Sequence, residues 1–138
     1  MKKYLMILLA GAMQASCNTA TGVSELYAVQ GEWQLTVIER NDGTTAQIPI
    51  PARYTIEFNG EGSWNAQADC NGCSGAYVTD GNALSLGPVF ACTAAACGPL
   101  SLFNEYTAAL GSVSSFVRSG AQLRLGYAEG ELVYLVND

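Results

Sequence analysis

Four cysteines in two close pairs constrain this chain more than any other feature. They form the stretches Cys70-Asn71-Gly72-Cys73 and Cys92-Thr93-Ala94-Ala95-Ala96-Cys97. Thiols grouped this way serve as disulfide bridges, a metal centre or a redox dithiol. A zinc site needs four thiolates at knuckle spacing. Cys92-x4-Cys97 is long for a second knuckle, and no Lys- or Arg-rich surroundings favour thiolates. A redox dithiol relies on a helix N-terminus to lower the pKa of its first thiol. Here turn residues and a short extended stretch come next, and the neighbouring Asp69 disfavours a thiolate. A catalytic thiol needs a base, and the chain has no histidine. The reading kept is two disulfides, each stabilising a small domain by roughly 2–4 kcal/mol. Four cysteines allow three pairings, and the sequence alone does not choose among them.

Disulfides need an oxidising compartment, and the N-terminus supplies the route to one. MKKYLMILLAGAMQASC opens with Lys2-Lys3, continues as an apolar run from Tyr4 to Met13 and ends in small residues and Cys17. That order is a secretory signal. The run is too short for a membrane-spanning helix, which takes about 20 residues. Ala15-Ser16-Cys17 resembles the lipobox of bacterial lipoproteins, in which the cysteine is acylated and becomes the new N-terminus; Gln14 stands where Leu is usual. The expected organisation is a signal peptide over 1–16, a lipidated Cys17 opening a flexible tether over 17–30, and one domain over 31–138. The expected location is periplasmic, on a lipid anchor, in the outer rather than the inner membrane.

The mature part of the chain is acidic. The full 138 residues carry a formal charge of -6. Both lysines lie in the first three positions, so the rest of the chain has twelve acids against four arginines, a balance of -8. Such a chain does not seek nucleic-acid backbones, whose affinity comes from cationic side chains. Nor does it adhere to anionic lipid by charge. The missing histidine removes the usual general base and the commonest metal ligand.

Period-2 alternation dominates the domain. WQLTVIE (33–39) reads as a strand with Trp33, Leu35 and Val37 on one face. RYTIEF (53–58) alternates with Tyr54, Ile56 and Phe58 inward, and Arg53, Thr55 and Glu57 outward. Asn59-Gly60 turns the chain into a hairpin partner over 62–68. Asn71-Gly72 reads as a further turn between the cysteines, with an extended stretch over 75–79. Asp80-Gly81-Asn82 then starts a second hairpin returning over 83–86. Pro49 and Pro51 suit an edge or loop. Residues 99–110 change period: Leu102, Phe103, Tyr106, Ala109 and Leu110 share one helical side, with Pro99 in the first turn and Gly111 as the C-terminal stop. Three strands close the chain, over 113–118, 121–127 and 131–136. The fold class expected is mainly β (α+β): a curled antiparallel sheet or partial barrel of about seven or eight strands with one helix.

The remaining chemistry is sparse. Carboxylates sit in turns or alternate outward, and no two are set to face one cleft as a glycosidase requires. Asp80-Gly81-Asn82 lacks the later ligands of a calcium loop. Gly60-Glu61-Gly62 is followed by neither helix nor lysine, so it is a turn and not a phosphate cradle. No catalytic residue, metal or cofactor is expected. Trp33, Trp64, Tyr54, Tyr77, Tyr127 and Tyr134 fit core packing, although a curled sheet leaves room for a small apolar site in its mouth.

WQL (33–35), CN (70–71), SGAY (74–77), GNALSL (81–86), CTAAAC (92–97), the helix and LRL (123–125) together resemble the META domain family, in its HslJ-like, heat-shock-inducible lipoprotein branch. The resemblance spans about residues 31–136 and rests on CN-x2-SG, through Cys70, Asn71 and Gly75, and on T-x3-C, through Thr93 and Cys97. It implies a compact antiparallel sheet with one helix, in the bacterial envelope. Members with only two cysteines carry them at the positions of Cys70 and Cys97. That implies a Cys70–Cys97 bridge and leaves Cys73 to pair with Cys92. No catalytic residue is carried over. The expected function is a non-enzymatic envelope lipoprotein, structural or stress-related. The alternative is a periplasmic binding module for a small apolar ligand, or for a basic partner protein in the manner of an inhibitor.

Overall fold

A computed structural model describes residues 28–87 and 89–137. The signal, the acylated Cys17 and most of the tether expected from the sequence lie outside the described residues. The tether's expected last residues are packed: Val29 is fully buried, and its carbonyl accepts the Trp33 indole N–H at 2.9 Å. The folded unit therefore includes residues 28–30 as well as 31 onward.

Among the described residues, eleven strands form one antiparallel sheet. They are β1 (Gly31–Arg40), β2 (Thr45–Gln47), β3 (Tyr54–Phe58), β4 (Ser63–Ala68), β5 (Asn71–Ala76), β6 (Val78–Asp80), β7 (Ala83–Ser85), β8 (Ala91–Cys92), β9 (Ser115–Ser119), β10 (Gln122–Tyr127) and β11 (Gly130–Val136). The sheet order is β6-β7-β9-β10-β11-β1-β3-β4-β5-β8, with β2 also on β1. β5 and β6 are successive parts of one extended run, broken at Tyr77. β5 pairs with β4 while β6 pairs with β7 at the far end of the path, so the chain at Tyr77 ties the two ends together. The sheet is curled, as the alternation predicts. More strands appear than the sequence indicates because β2 and β8 have only three and two residues, too few to show a period, and because the extended run over 71–80 divides at Tyr77 into β5 and β6.

Inward residues fill the curl. Trp33, Trp64, Phe58, Tyr106 and Tyr134 are all at most 1% exposed. Burying each such side chain contributes roughly 2–3 kcal/mol. Trp33 and Leu35 point inward as expected, but Val37 does not. A bulge between Leu35 and Val37 inserts one residue, flips the remaining alternation and buries Ile38 instead. The inward face of β3 follows the predicted alternation at Tyr54, Ile56 and Phe58; Leu123 and Leu125 of β10 and Leu132, Val133 and Tyr134 of β11 are buried as well.

The α-helix lying wholly within the described residues, α1 (Phe103–Gly111), starts later than the period predicts. Pro99 lies in a preceding turn. The Leu102 N–H, which a helix starting at Pro99 would direct to the Gly98 carbonyl, is instead taken by the Tyr54 hydroxyl at 2.9 Å. Tyr106, Ala109 and Leu110 are buried, and Leu102 and Phe103 pack against the same core, so the predicted helical side is correct. Tyr106 reaches the core's centre, its hydroxyl 2.9 Å from that of Tyr134. Burial holds both phenols above the usual tyrosine pKa, so the pair is neutral. On the rim, Arg40 fixes the helix to β1 with two contacts to Glu105, at 2.6 and 3.0 Å.

Candidate functional site

The β4–β5 hairpin carries the cluster that the motif residues form. Its turn falls at Asp69–Cys70, and Asn71 and Gly72 are the first residues of β5. This differs from the turn that an Asn-Gly pair predicts. Asp69 takes φ 58°, which Asp tolerates better than most residues. Its backbone N–H donates to the Arg53 carbonyl at 2.7 Å, and its buried carboxylate meets Arg53 Nη2 at 2.8 Å.

Asn71 stays in the strand because the 93–97 segment occupies its side chain. It is 2% exposed. Its Nδ2 donates to the Ala95 carbonyl at 2.9 Å and lies 3.3 Å from Cys97 Sγ. Its Oδ1 accepts the Ala95 N–H at 2.8 Å and the Thr93 hydroxyl at 2.9 Å. All four positions of the amide are thus used. Thr93 Oγ1 in turn accepts the Gly72 N–H at 3.1 Å. Cys70 is bonded to Cys97, and Cys73 to Cys92, the pairing that the family resemblance implies. Cys73 and Cys92 face each other directly across β5 and β8. Neither bridge joins the two cysteines of the C-x2-C stretch, and bonded sulfurs are not thiolate ligands.

Gly75 has a packing role. A Cβ there would lie 2.9 Å from Phe90 Cβ and 3.0 Å from Trp64 Nε1. Those two rings meet edge to face at 5.2 Å, and the Trp64 N–H is committed to the Ala76 and Leu86 carbonyls at 3.1 and 3.2 Å. Gly75→Ala is expected to cost about 2 kcal/mol by overpacking, read as a lower urea midpoint. An unchanged midpoint would mean that the rings yield freely.

The structure therefore brings Cys70, Asn71, Thr93 and Cys97 into one cluster, with Cys73, Cys92 and Gly75 alongside. Sequence reasoning missed the Arg53–Asp69 pair. Arg53 reads as an outward strand residue, yet it ends a 3-10 turn (Pro51–Arg53) just before β3. The β3–β4 hairpin is centred on Glu61 and pairs Tyr54 with Ala68, which sets Arg53 opposite Asp69; a two-residue turn at Asn59-Gly60 would have set Arg53 opposite Ala66 instead, so the turn signal pointed to the wrong partner.

The META domain family model matches residues 24–138. The chain belongs to the META domain family. No curated protein matches it. Among solved structures, this META domain resembles a protein from Burkholderia xenovorans determined by NMR, at TM-score 0.67 and 21% identity, covering 96% of this chain and 99% of that one. A lipocalin-like protein from Bacteroides uniformis ATCC 8492 aligns at TM-score 0.57 and 18% identity, over 80% and 99% of the two chains. A DUF4847 family protein from Bacteroides vulgatus ATCC 8482 aligns at 0.55 and 14%, over 80% and 94%. These likenesses establish a shared curled-sheet fold.

Within the META domain the large aromatic residues occupy the interior of the curl, and the open concavities lie around its rim. One groove, of about 250 Å³, runs between the 49–54 segment and the 97–102 segment, with Asp69 at its base.

Proposed function

We propose that this META domain protein is a non-enzymatic bacterial envelope lipoprotein, exported and held at the membrane through an acylated Cys17, with a structural or stress-related role. The observation that carries the reading is the pair of disulfides, Cys70–Cys97 and Cys73–Cys92, which persist in oxidising compartments and not in the cytosol. The Lys2-Lys3 start, the apolar run and Ala15-Ser16-Cys17 supply a matching address. The absence of histidine supports a role without catalysis. Metabolic labelling with a fatty-acid probe tests the anchor. Label incorporated in the native protein and lost in Cys17→Ala supports it; a mature N-terminus elsewhere, with no label, removes it.

A second reading, a binding module, is favoured by the rim groove and by the likeness to a lipocalin-like fold, since lipocalin barrels hold one small ligand. The acidic charge of the mature chain fits a basic protein partner as well.

A further inference from the structure

The groove between 49–54 and 97–102 combines two features that a small acidic domain has little reason to expose together. The first is apolar surface on both walls. Leu100 is 94% exposed on one side and Ile50 is 52% exposed on the other, with Pro49 and Leu102 beside them. Large aliphatic residues at such exposure, facing across a concavity, mark a binding surface more often than they mark packing. The second is a cation with spare capacity. Arg53 lies in the lining, and its side chain is 45% exposed. Among the described residues its carboxylate contact is Asp69, whose Oδ1 lies 2.8 Å from Nη2. A guanidinium has five N–H donors, and with 45% of the side chain exposed some of them face solvent, where a second carboxylate can reach them.

The other arginines are committed. Arg40 is held by both oxygens of Glu105. Arg124 lies between Glu39 and Glu131, at 3.0 and 2.7 Å. Arg118 covers the Trp33 ring at 4.9 Å and donates to the Ala28 carbonyl. Arg53 is the arginine that lines this groove.

The walls are also fixed in advance. The Cys70–Cys97 bridge ties the 97–102 side to the residue after Asp69, and the Tyr54 hydroxyl accepts the Leu102 N–H across the groove. A ligand entering a preformed groove orders little protein, which lowers the cost of binding. The volume suits a single small chain and is below that of most drug-sized pockets, which start at roughly 300 Å³.

We infer that this groove binds an anionic amphiphile, with its carboxylate on the solvent-facing N–H donors of Arg53 and its apolar chain along Ile50, Leu100 and Leu102. The inference deepens the binding-module reading and does not depend on the anchor. It places the ligand on the rim of the sheet, not inside the curl.

The test is titration of the folded, disulfide-bonded chain with octanoate below its micelle-forming concentration, by calorimetry and by amide shifts in NMR. Octanol and octyltrimethylammonium serve as comparison probes. Saturable octanoate binding is expected, with shifts concentrated in 49–54 and 97–102. Arg53→Gln should weaken it by about tenfold or more, the loss of a charge-assisted contact. Octanol should bind the native chain more weakly than octanoate, and the ammonium more weakly still. Leu100→Ser alters an exposed side chain, leaves Asp69 paired and should also weaken octanoate. Absence of saturable binding overturns the inference. So does octanol binding as tightly as octanoate, or Arg53→Gln binding unchanged. Shifts gathered instead at core amides such as Leu123 and Tyr134 would remove this site while leaving a ligand-binding role in place.

Discussion

Asn71→Leu is expected to lower the stability of the domain by about 2–3 kcal/mol, seen as a shifted urea midpoint with little change in slope. Leu has a similar size but offers no hydrogen bonds. The change strips the Ala95 N–H and C=O and the Thr93 hydroxyl of their partners. An unpartnered polar group costs roughly 1–3 kcal/mol when dry and less when water can reach it. Ala95 and Thr93 are exposed, so water recovers part of the loss, and the estimate stays well below the sum of the bonds. Asn71→Asp separates hydrogen bonding from packing. It keeps the shape but aims an acceptor oxygen at the Ala95 carbonyl, and it should cost about as much as Leu. An Asp variant as stable as the native chain would sink the account of Asn71 as a clamp.

Removing either bridge should cost roughly 3 kcal/mol, because each closes a loop of moderate length in the unfolded chain. The sequence separations are 27 for Cys70–Cys97 and 19 for Cys73–Cys92. Their similarity predicts similar losses for Cys70→Ala with Cys97→Ala and for Cys73→Ala with Cys92→Ala. Reduction of the native protein should distinguish them. Cys70 is exposed, whereas Cys73 is 4% exposed inside the sheet. A mild dithiol should open Cys70–Cys97 first, since exchange needs access to sulfur. Alkylation followed by peptide mapping reads the order; simultaneous loss of both bridges, or prior loss of Cys73–Cys92, would contradict it.

The sequence carried most of the sheet because inward alternation is a property of each strand by itself. Tyr54, Ile56 and Phe58 face inward whatever strand lies beside them. It failed where a partner elsewhere decides the outcome. Val37 and Ile38 exchange places through a bulge, a feature of the pairing with β11 and not of either residue. Asn71-Gly72 has strong turn character, yet the 93–97 segment holds the Asn side chain and moves the turn to Asp69–Cys70. Pro99 is a good helix starter, displaced because Tyr54 claims the Leu102 N–H. Of the candidate site, the family motif located Asn71, Thr93 and the cysteine pairs, but not what Asn71 does. Arg53 and Leu100 were not picked out, since a groove between two loops has no local signature.

The first and last strands of the domain are neighbours. Trp33 of β1 lies opposite Val136 of β11, and Arg40 opposite Gly130. For a chain delivered N-terminus first, whether from a ribosome or through a membrane pore, β1 lacks one of its two long partners until residues 130–136 arrive. The curl therefore cannot close early, and pairings this distant in sequence form slowly. Such wiring postpones the native state until residues 130–136 are available to pair with β1.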